Sequence, residues 1–190
     1  MKQTIMTLLA LLISIAASAQ SADKLYEEGK ALYDAKNYTQ AFPKFKAAAE
    51  KGHRKAQYRL GRCYEKGHGT DGDEVKAFQR YNKSDAQDYA KAQYQLGQCY
   101  KNGEGTEKNV VKAAEYFTKA AKQDNADAQF ALGKCYLKGR GVPADEAKAK
   151  TWFNRAVKNE KDGKKILEDL KKDAANGDEK AKAILALIKK

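Results

Sequence analysis

The chain has 190 residues, 37 Lys and Arg against 25 Asp and Glu, and a formal net charge of +12. That length bounds one domain with a continuous core. A third of the residues are charged, with lysines alternating with Asp and Glu along helical stretches, which reads as a solvated mixed-charge surface more than as a nucleic-acid-binding face.

In chain order, the first element is a leader. Lys2 gives a positive start, Ile5 to Ala17 an apolar run, and Ala17-Ser18-Ala19 a small-x-small cleavage site, so residues 1–19 read as a signal peptide cut before Gln20. The apolar run is too short for the roughly 20 residues that cross a bilayer. The expected mature product is periplasmic or secreted, without a membrane span. Residues 22–55 then form a 34-residue stretch carrying Gly29, Asn37-Tyr38, Ala41, Phe45 and Ala48 at the offsets of a helical hairpin.

Three further units follow, spanning 56–91, 92–127 and 128–160. They open AQYRLGRCYEKGHG, AQYQLGQCYKNGEG and AQFALGKCYLKGRG, 36 residues apart. A fixed period of that size marks stacked supersecondary units. Ala56, Leu60, Cys63 and Tyr64 share one helical face, and Gly67 and Gly69 end that helix. Asp73, Asn109 and Asp145 are placed to cap a second helix, whose buried face is Ala77, Tyr81 and Ser84, then Ala113, Phe117 and Ala120, then Ala149, Phe153 and Ala156. Each unit is thus a helix–turn–helix hairpin that covers its apolar face only by stacking. Beyond it, residues 161–190 form a cap, an irregular helix around Ile166, Leu167 and Leu170 and a last helix through Ala181, Ile184, Leu185 and Ile188.

The run A-x-x-x-L-G-x-x-Y-x-x-G-x-G resembles the Sel-one-like repeat (SLR), a relative of the tetratricopeptide repeat, which residues 22–55 resemble in turn. The resemblance implies an all-α, right-handed superhelical solenoid of helix–turn–helix repeats and an adaptor role in assembly or signalling. Some secreted SLR proteins are cysteine-rich, pair two cysteines within each hairpin and are linked to penicillin binding. Here each repeat has one cysteine, Cys63, Cys99 or Cys135, so the resemblance does not carry that pairing over.

Packed helices lie roughly 8–10 Å apart, too far for a disulfide between equivalent positions of neighbouring units. The cysteines read as small buried hydrophobes. No catalytic residues, cofactor or metal ligands are expected. Ser21-Ala-Asp-Lys24 matches S-x-x-K but lacks the partner motifs. His53 and His68 read as exposed turn residues, and Asp71, Asp73 and Glu74 lack calcium-loop spacing. The expectation is a non-enzymatic protein.

What remains is a surface. On a helical wheel, Tyr58, Arg62 and Glu65 lie opposite the core row, with Tyr94, Gln98 and Lys101, then Phe130, Lys134 and Leu137, as their equivalents. Tyr26, Lys30 and Tyr33 extend the row. A concave groove would therefore present an aromatic ladder (Tyr26, Tyr58, Tyr94, Phe130) beside a mostly basic one (Lys30, Arg62, Gln98, Lys134). Aromatic and Arg anchors suit recognition, and ammonium and guanidinium groups engage carboxylates. The expected partner is a protein or peptide, acidic in character. The aromatic ladder reads equally as inter-repeat packing. The alternatives are binding of anionic envelope polymers, lipopolysaccharide or peptidoglycan, and, by family analogy alone, a penicillin-interacting hydrolase.

Overall fold

The structure, a computed structural model, describes residues 21–189. The expected signal peptide lies outside them. The described residues are all-α, with helices joined by short turns and no strand among them. The chain divides into two compact units, one ending at Gln87 and the other beginning at Asp88.

Unit 1 contains α1 (residues 21–34), α2 (Tyr38–Glu50), α3 (Arg54–Lys66) and α4 (Glu74–Asp85). Unit 2 contains α5 (Ala90–Asn102), α6 (Val110–Lys122), α7 (Ala126–Lys138), α8 (Glu146–Val157), α9 (Gly163–Ala175) and α10 (Glu179–Lys189). Sequence neighbours pack as antiparallel hairpins: α2 on α3 and α3 on α4 in unit 1, then α5 on α6 through to α9 on α10 in unit 2. The cap is more regular than its sequence promises, since α9 is a continuous helix of 13 residues. Asn159 shapes the turn before it, its Oδ1 accepting from the amides of Lys161 at 3.1 Å and Asp162 at 3.2 Å, while Asp162 at the helix start makes no side-chain cap.

Each repeat is built by the same local rules. Asp73, Asn109 and Asp145 cap α4, α6 and α8 by accepting from backbone amides of the first turn, which satisfies donors a helix start otherwise leaves open. At the other end of the preceding helix the chain must turn into the left-handed region. Gly103, at φ 87°, does so for α5 and donates to Cys99 O, a conformation that side-chain-bearing residues disfavour. Gly67 and Gly139 repeat the move.

The core is one aromatic ring per hairpin set against a glycine. A Cβ on Gly97 would stand 2.5 Å from two ring carbons of Phe117, and the same holds for Gly61 under Tyr81 at 2.6 Å and Gly133 under Phe153 at 2.7 Å. Absence of a side chain there lets the second helix approach closely enough to bury the ring. The rows Ala77, Tyr81, Ser84; Ala113, Phe117, Ala120; and Ala149, Phe153, Ala156 are all buried. Cys63 and Cys99 are buried thiols and Cys135 is half-buried, none of them in a disulfide. Desolvation pushes the Cys63 thiol up to about 11, so it stays protonated and behaves as a small apolar group.

A glutamine relay stitches each repeat to the turn after it. Gln87 Nε2 donates to Gln57 Oε1 at 2.9 Å, and Gln123 Nε2 donates to Gln93 Oε1 at 2.8 Å. In the third repeat the place of Gln87 and Gln123 is taken by Asn159, whose Nδ2 reaches only Asp124 O, at 2.9 Å. Gln129 Oε1 is left as a buried acceptor with no donor among the described residues.

Candidate functional site

The aromatic ladder is first of all a packing device. Tyr26 lies 6.1 Å from Phe45, Tyr58 5.9 Å from Tyr81, Tyr94 5.9 Å from Phe117 and Phe130 5.3 Å from Phe153, centroid to centroid. Each ring of the first helix thus leans on the core ring of the second. Tyr26 goes furthest. It is 7% exposed, belongs to the unit 1 core and stacks on His53 at 4.5 Å, so it presents no open face. Tyr58, Tyr94 and Phe130 stay half-buried, with one face on the core and one outward.

The basic row splits by unit. In unit 1 its charges are already answered. Lys30 pairs with Asp34 at 3.6 Å, and Arg62 with Glu65 at 3.5 Å. Glu65, expected on the open row, is a structural acid instead. Its carboxylate accepts from the hydroxyl of the buried Tyr81 and pairs with Lys66 at 2.9 Å. Burial alone would raise its pKa, but the Tyr81 hydroxyl, Lys66 and Arg62 outweigh it and hold the group below its ordinary range. Burial, with the Glu65 charge beside it, drives the Tyr81 phenol far up in turn.

Unit 2 changes the three residues that make this network. Position 65 becomes Lys101, position 62 becomes Gln98, and Tyr81 becomes Phe117, which has no hydroxyl to satisfy an acid. The result is a line of donors along α5. Lys101 Nζ donates to Gln98 Oε1, and Gln98 Nε2 donates to Tyr94 Oη at 2.6 Å. On α7, Lys134 sets its ammonium 4.4 Å from the centre of the Phe130 ring, a cation–π arrangement.

These five expected residues, Tyr94, Gln98, Lys101, Phe130 and Lys134, line one cleft of about 580 Å³ formed by α5, α6 and α7. Its floor is Phe117, Phe130, Ala113 and Ala131. Sequence reasoning missed Lys108, Lys138 and Arg140, which bring the cationic groups on its walls to five, with Asp127 the single carboxylate. Lys138 was within reach of the wheel argument, one turn beyond Lys134. Lys108 and Arg140 sit in the turns after α5 and α7, where helical periodicity says nothing about direction.

Lys101, Lys134 and Lys138 make no ion pair among the described residues. Lys134 keeps much of its surface open to solvent, yet partial desolvation and the Lys101 and Lys138 ammoniums lower its pKa. Asp178 and Asp173 partly offset them. An electropositive cleft with an aromatic floor accepts an anion through charge-assisted hydrogen bonds and stacks apolar side chains beneath it.

The histidines are not bare turn residues. His53 caps α3, its Nδ1 accepting from Ala56 N at 3.1 Å, and its Nε2 faces Asp23 at 3.0 Å. His68 stacks on Tyr38 at 3.9 Å and bonds the Tyr33 hydroxyl through Nδ1 at 2.9 Å. No group of His, Cys, Asp and Glu among the described residues is arranged to hold a metal ion. No described helix is long and apolar enough to cross a membrane.

Repeated helical hairpins with paired aromatic and glycine positions define a helical-repeat scaffold, a class that works through its surfaces. The chain belongs to the Sel1 repeat family, whose model matches residues 54–84, 90–125 and 126–160. Solved structures agree. The chain is similar to a Sel1 repeat protein from Oxalobacter formigenes, 34% identical, over 72% of this chain and 56% of that one, with TM-score 0.68. It is also similar to c5321, described as a protective antigen of uropathogenic Escherichia coli strains displaying an SLR fold. There the identity is 31%, over 80% of this chain and 33% of that one, with TM-score 0.71. Helicobacter pylori cysteine rich protein B is 27% identical over 64% of this chain and 93% of that one, with TM-score 0.52. The chain thus spans about half and a third of the lengths of the first two. Among curated proteins, none matches it.

Proposed function

We propose that this chain is a non-enzymatic adaptor that holds an acidic segment of a protein partner in the α5–α7 cleft. Sel1 repeat proteins are typically protein–protein interaction modules, and their fold is generally a non-catalytic scaffold. The observation that carries the reading is five cationic side chains over an aromatic floor with one carboxylate among them. The basic row of unit 1 stands outside this reading, because Lys30 and Arg62 are already paired. The same proposal puts this activity outside the cytoplasm, a reading supported by the leader read at residues 1–19.

The test is capture from an envelope extract by the full chain, beside a Lys101→Glu, Lys134→Glu variant and an Arg62→Ala variant. Circular dichroism checks that all are equally helical. A discrete protein held by wild type and by Arg62→Ala, and lost by the double lysine variant, supports the proposal. Equal retention by all three, displaced by lipopolysaccharide and by moderate salt, assigns the charge to diffuse binding of anionic polymer and overturns it.

A further inference from the structure

The α7 helix that walls the basic cleft also walls a second one. This cleft, of about 480 Å³, is completed by α9 and α10. Phe130, Lys134 and Lys138, with Asp127 a turn before, line both. They fall at i, i+3, i+7 and i+11 of one helix, so α7 forms a ridge between two grooves.

The far groove is mixed in charge. Asp169 and Asp173 project from α9 and Asp178 precedes α10, facing Lys134, Lys138 and Lys180, over a floor of Leu137, Ile166 and Leu170. Asp178 is committed to capping α10, accepting from Lys180 N at 2.7 Å and Ala181 N at 3.1 Å. Asp169 and Asp173 are exposed and make no ion pair among the described residues. Lys134 feels both sides: Lys101 and Lys138 disfavour its charge, and Asp178 and Asp173 favour it. Carboxylates, one in the near groove, therefore gather on the α9–α10 side, across the width of that helix.

That width has a chain length. A helix with its side chains is about 10–12 Å across, and an extended chain advances about 3.3 Å per residue. About three to four extended residues cross the ridge. A second copy of this chain, at a formal +12, is a poor occupant for the basic groove.

We propose that the two grooves are halves of one site, and that its occupant is an extended segment of a partner protein with two opposite ends. Acidic residues lie over Lys101 and Lys134. After a crossing of about three to four residues, an apolar residue and a cation lie over Leu137, Ile166, Asp169 and Asp173. The proposal rests on the basic-cleft reading above and adds the charge order of the partner.

The experiment is fluorescence anisotropy of labelled peptides with the full chain. One probe is Glu-rich. Two others carry a Leu-Leu-Lys-Lys arm at one end or the other, and controls have Gln for Lys in the arm. The better arm order binds about tenfold tighter than the Glu-rich peptide, because a tethered second contact acts at high effective concentration. The Gln control and an Asp169→Asn, Asp173→Asn variant both lose that gain, while the variant still binds the Glu-rich peptide. Both Asp residues are exposed and cap no helix, and circular dichroism confirms the fold. Equal binding with and without the arm overturns the bipartite site alone, as does a gain that survives the Asp variant. No binding of the Glu-rich peptide overturns the basic-cleft reading and this proposal together.

Discussion

His53 shows how much one side chain carries. Its Nδ1 must be unprotonated to accept from Ala56 N, while its Nε2–H points at Asp23 and its ring supports Tyr26. Burial lowers its pKa below the ordinary 6.5, and the attraction of Asp23 recovers only part of that. A depressed histidine pKa means the unfolded chain binds more protons than the folded one as pH falls. Stability is therefore full above pH 6.5 and declines as pH drops through that value toward the lower folded-state pKa. Thermal unfolding at about pH 7.5 and about 5 should show the loss, worth about 1 kcal/mol if the cap fails. His53→Asn keeps a capping oxygen and should flatten the profile. Gly97 makes the complementary point about space. Gly97→Ala gains about 1 kcal/mol of helix propensity, but its Cβ would meet the Phe117 ring at 2.5 Å, and such overpacking costs about 1–3 kcal/mol. The net expectation is a melting temperature unchanged to lower, with a clear rise the result that would contradict the close approach.

Between helices, the glutamine relay makes equivalent positions unequal. Gln93 is 2% exposed with its Oε1 paired, whereas Gln129 is 2% exposed with its Oε1 unpaired and both of its donor contacts at 3.3 Å. A buried acceptor without a donor carries its desolvation penalty uncompensated. Gln129→Met, which removes that oxygen at constant volume, should change stability by less than about 0.5 kcal/mol, and Gln93→Met should cost about 1–2 kcal/mol in chemical denaturation. Equal costs would contradict the inequality. The relay also marks where the sequence stopped being legible. The 36-residue period, the caps at Asp73, Asn109 and Asp145 and the buried rows follow from local rules of spacing and orphan backbone groups, which need no partner in space. Glu65 was unreadable because its identity as a structural acid depends on Tyr81, 16 residues on, a hydroxyl that the other repeats lack. Tyr26 was unreadable for a related reason, since its outer face is closed by His53 from a turn 27 residues away. Periodicity placed Tyr94, Gln98, Lys101, Phe130 and Lys134 on one surface. It gave no means to tell which repeat keeps its charge unanswered.

At the scale of the whole molecule, the formal +12 acts before any contact forms. Long-range attraction raises encounter rates, and salt screens it over about 8–10 Å at physiological strength. The association rate with an acidic peptide should fall roughly tenfold between low and physiological salt while dissociation changes little, measured by stopped-flow mixing. Affinity should also weaken as pH approaches the lysine range from below. Burial and the neighbouring Lys101 and Lys138 ammoniums lower the Lys134 pKa and start its loss of charge earlier than for an ordinary lysine. A pH-independent affinity would place the anion elsewhere. The substitution of Asn159 for the relay glutamine bears, finally, on how such an array lengthens. A duplicate of residues 90–125 spliced between Asn125 and Ala126 brings both of its own relay glutamines and meets α7 through the junction that α6 makes with it now. A duplicate joined after Asn159 meets an amide one methylene short and already committed to the next turn. Growth by duplication is thus permitted in the interior and discouraged at the third repeat, which makes repeat number a trait adjustable from the middle outward.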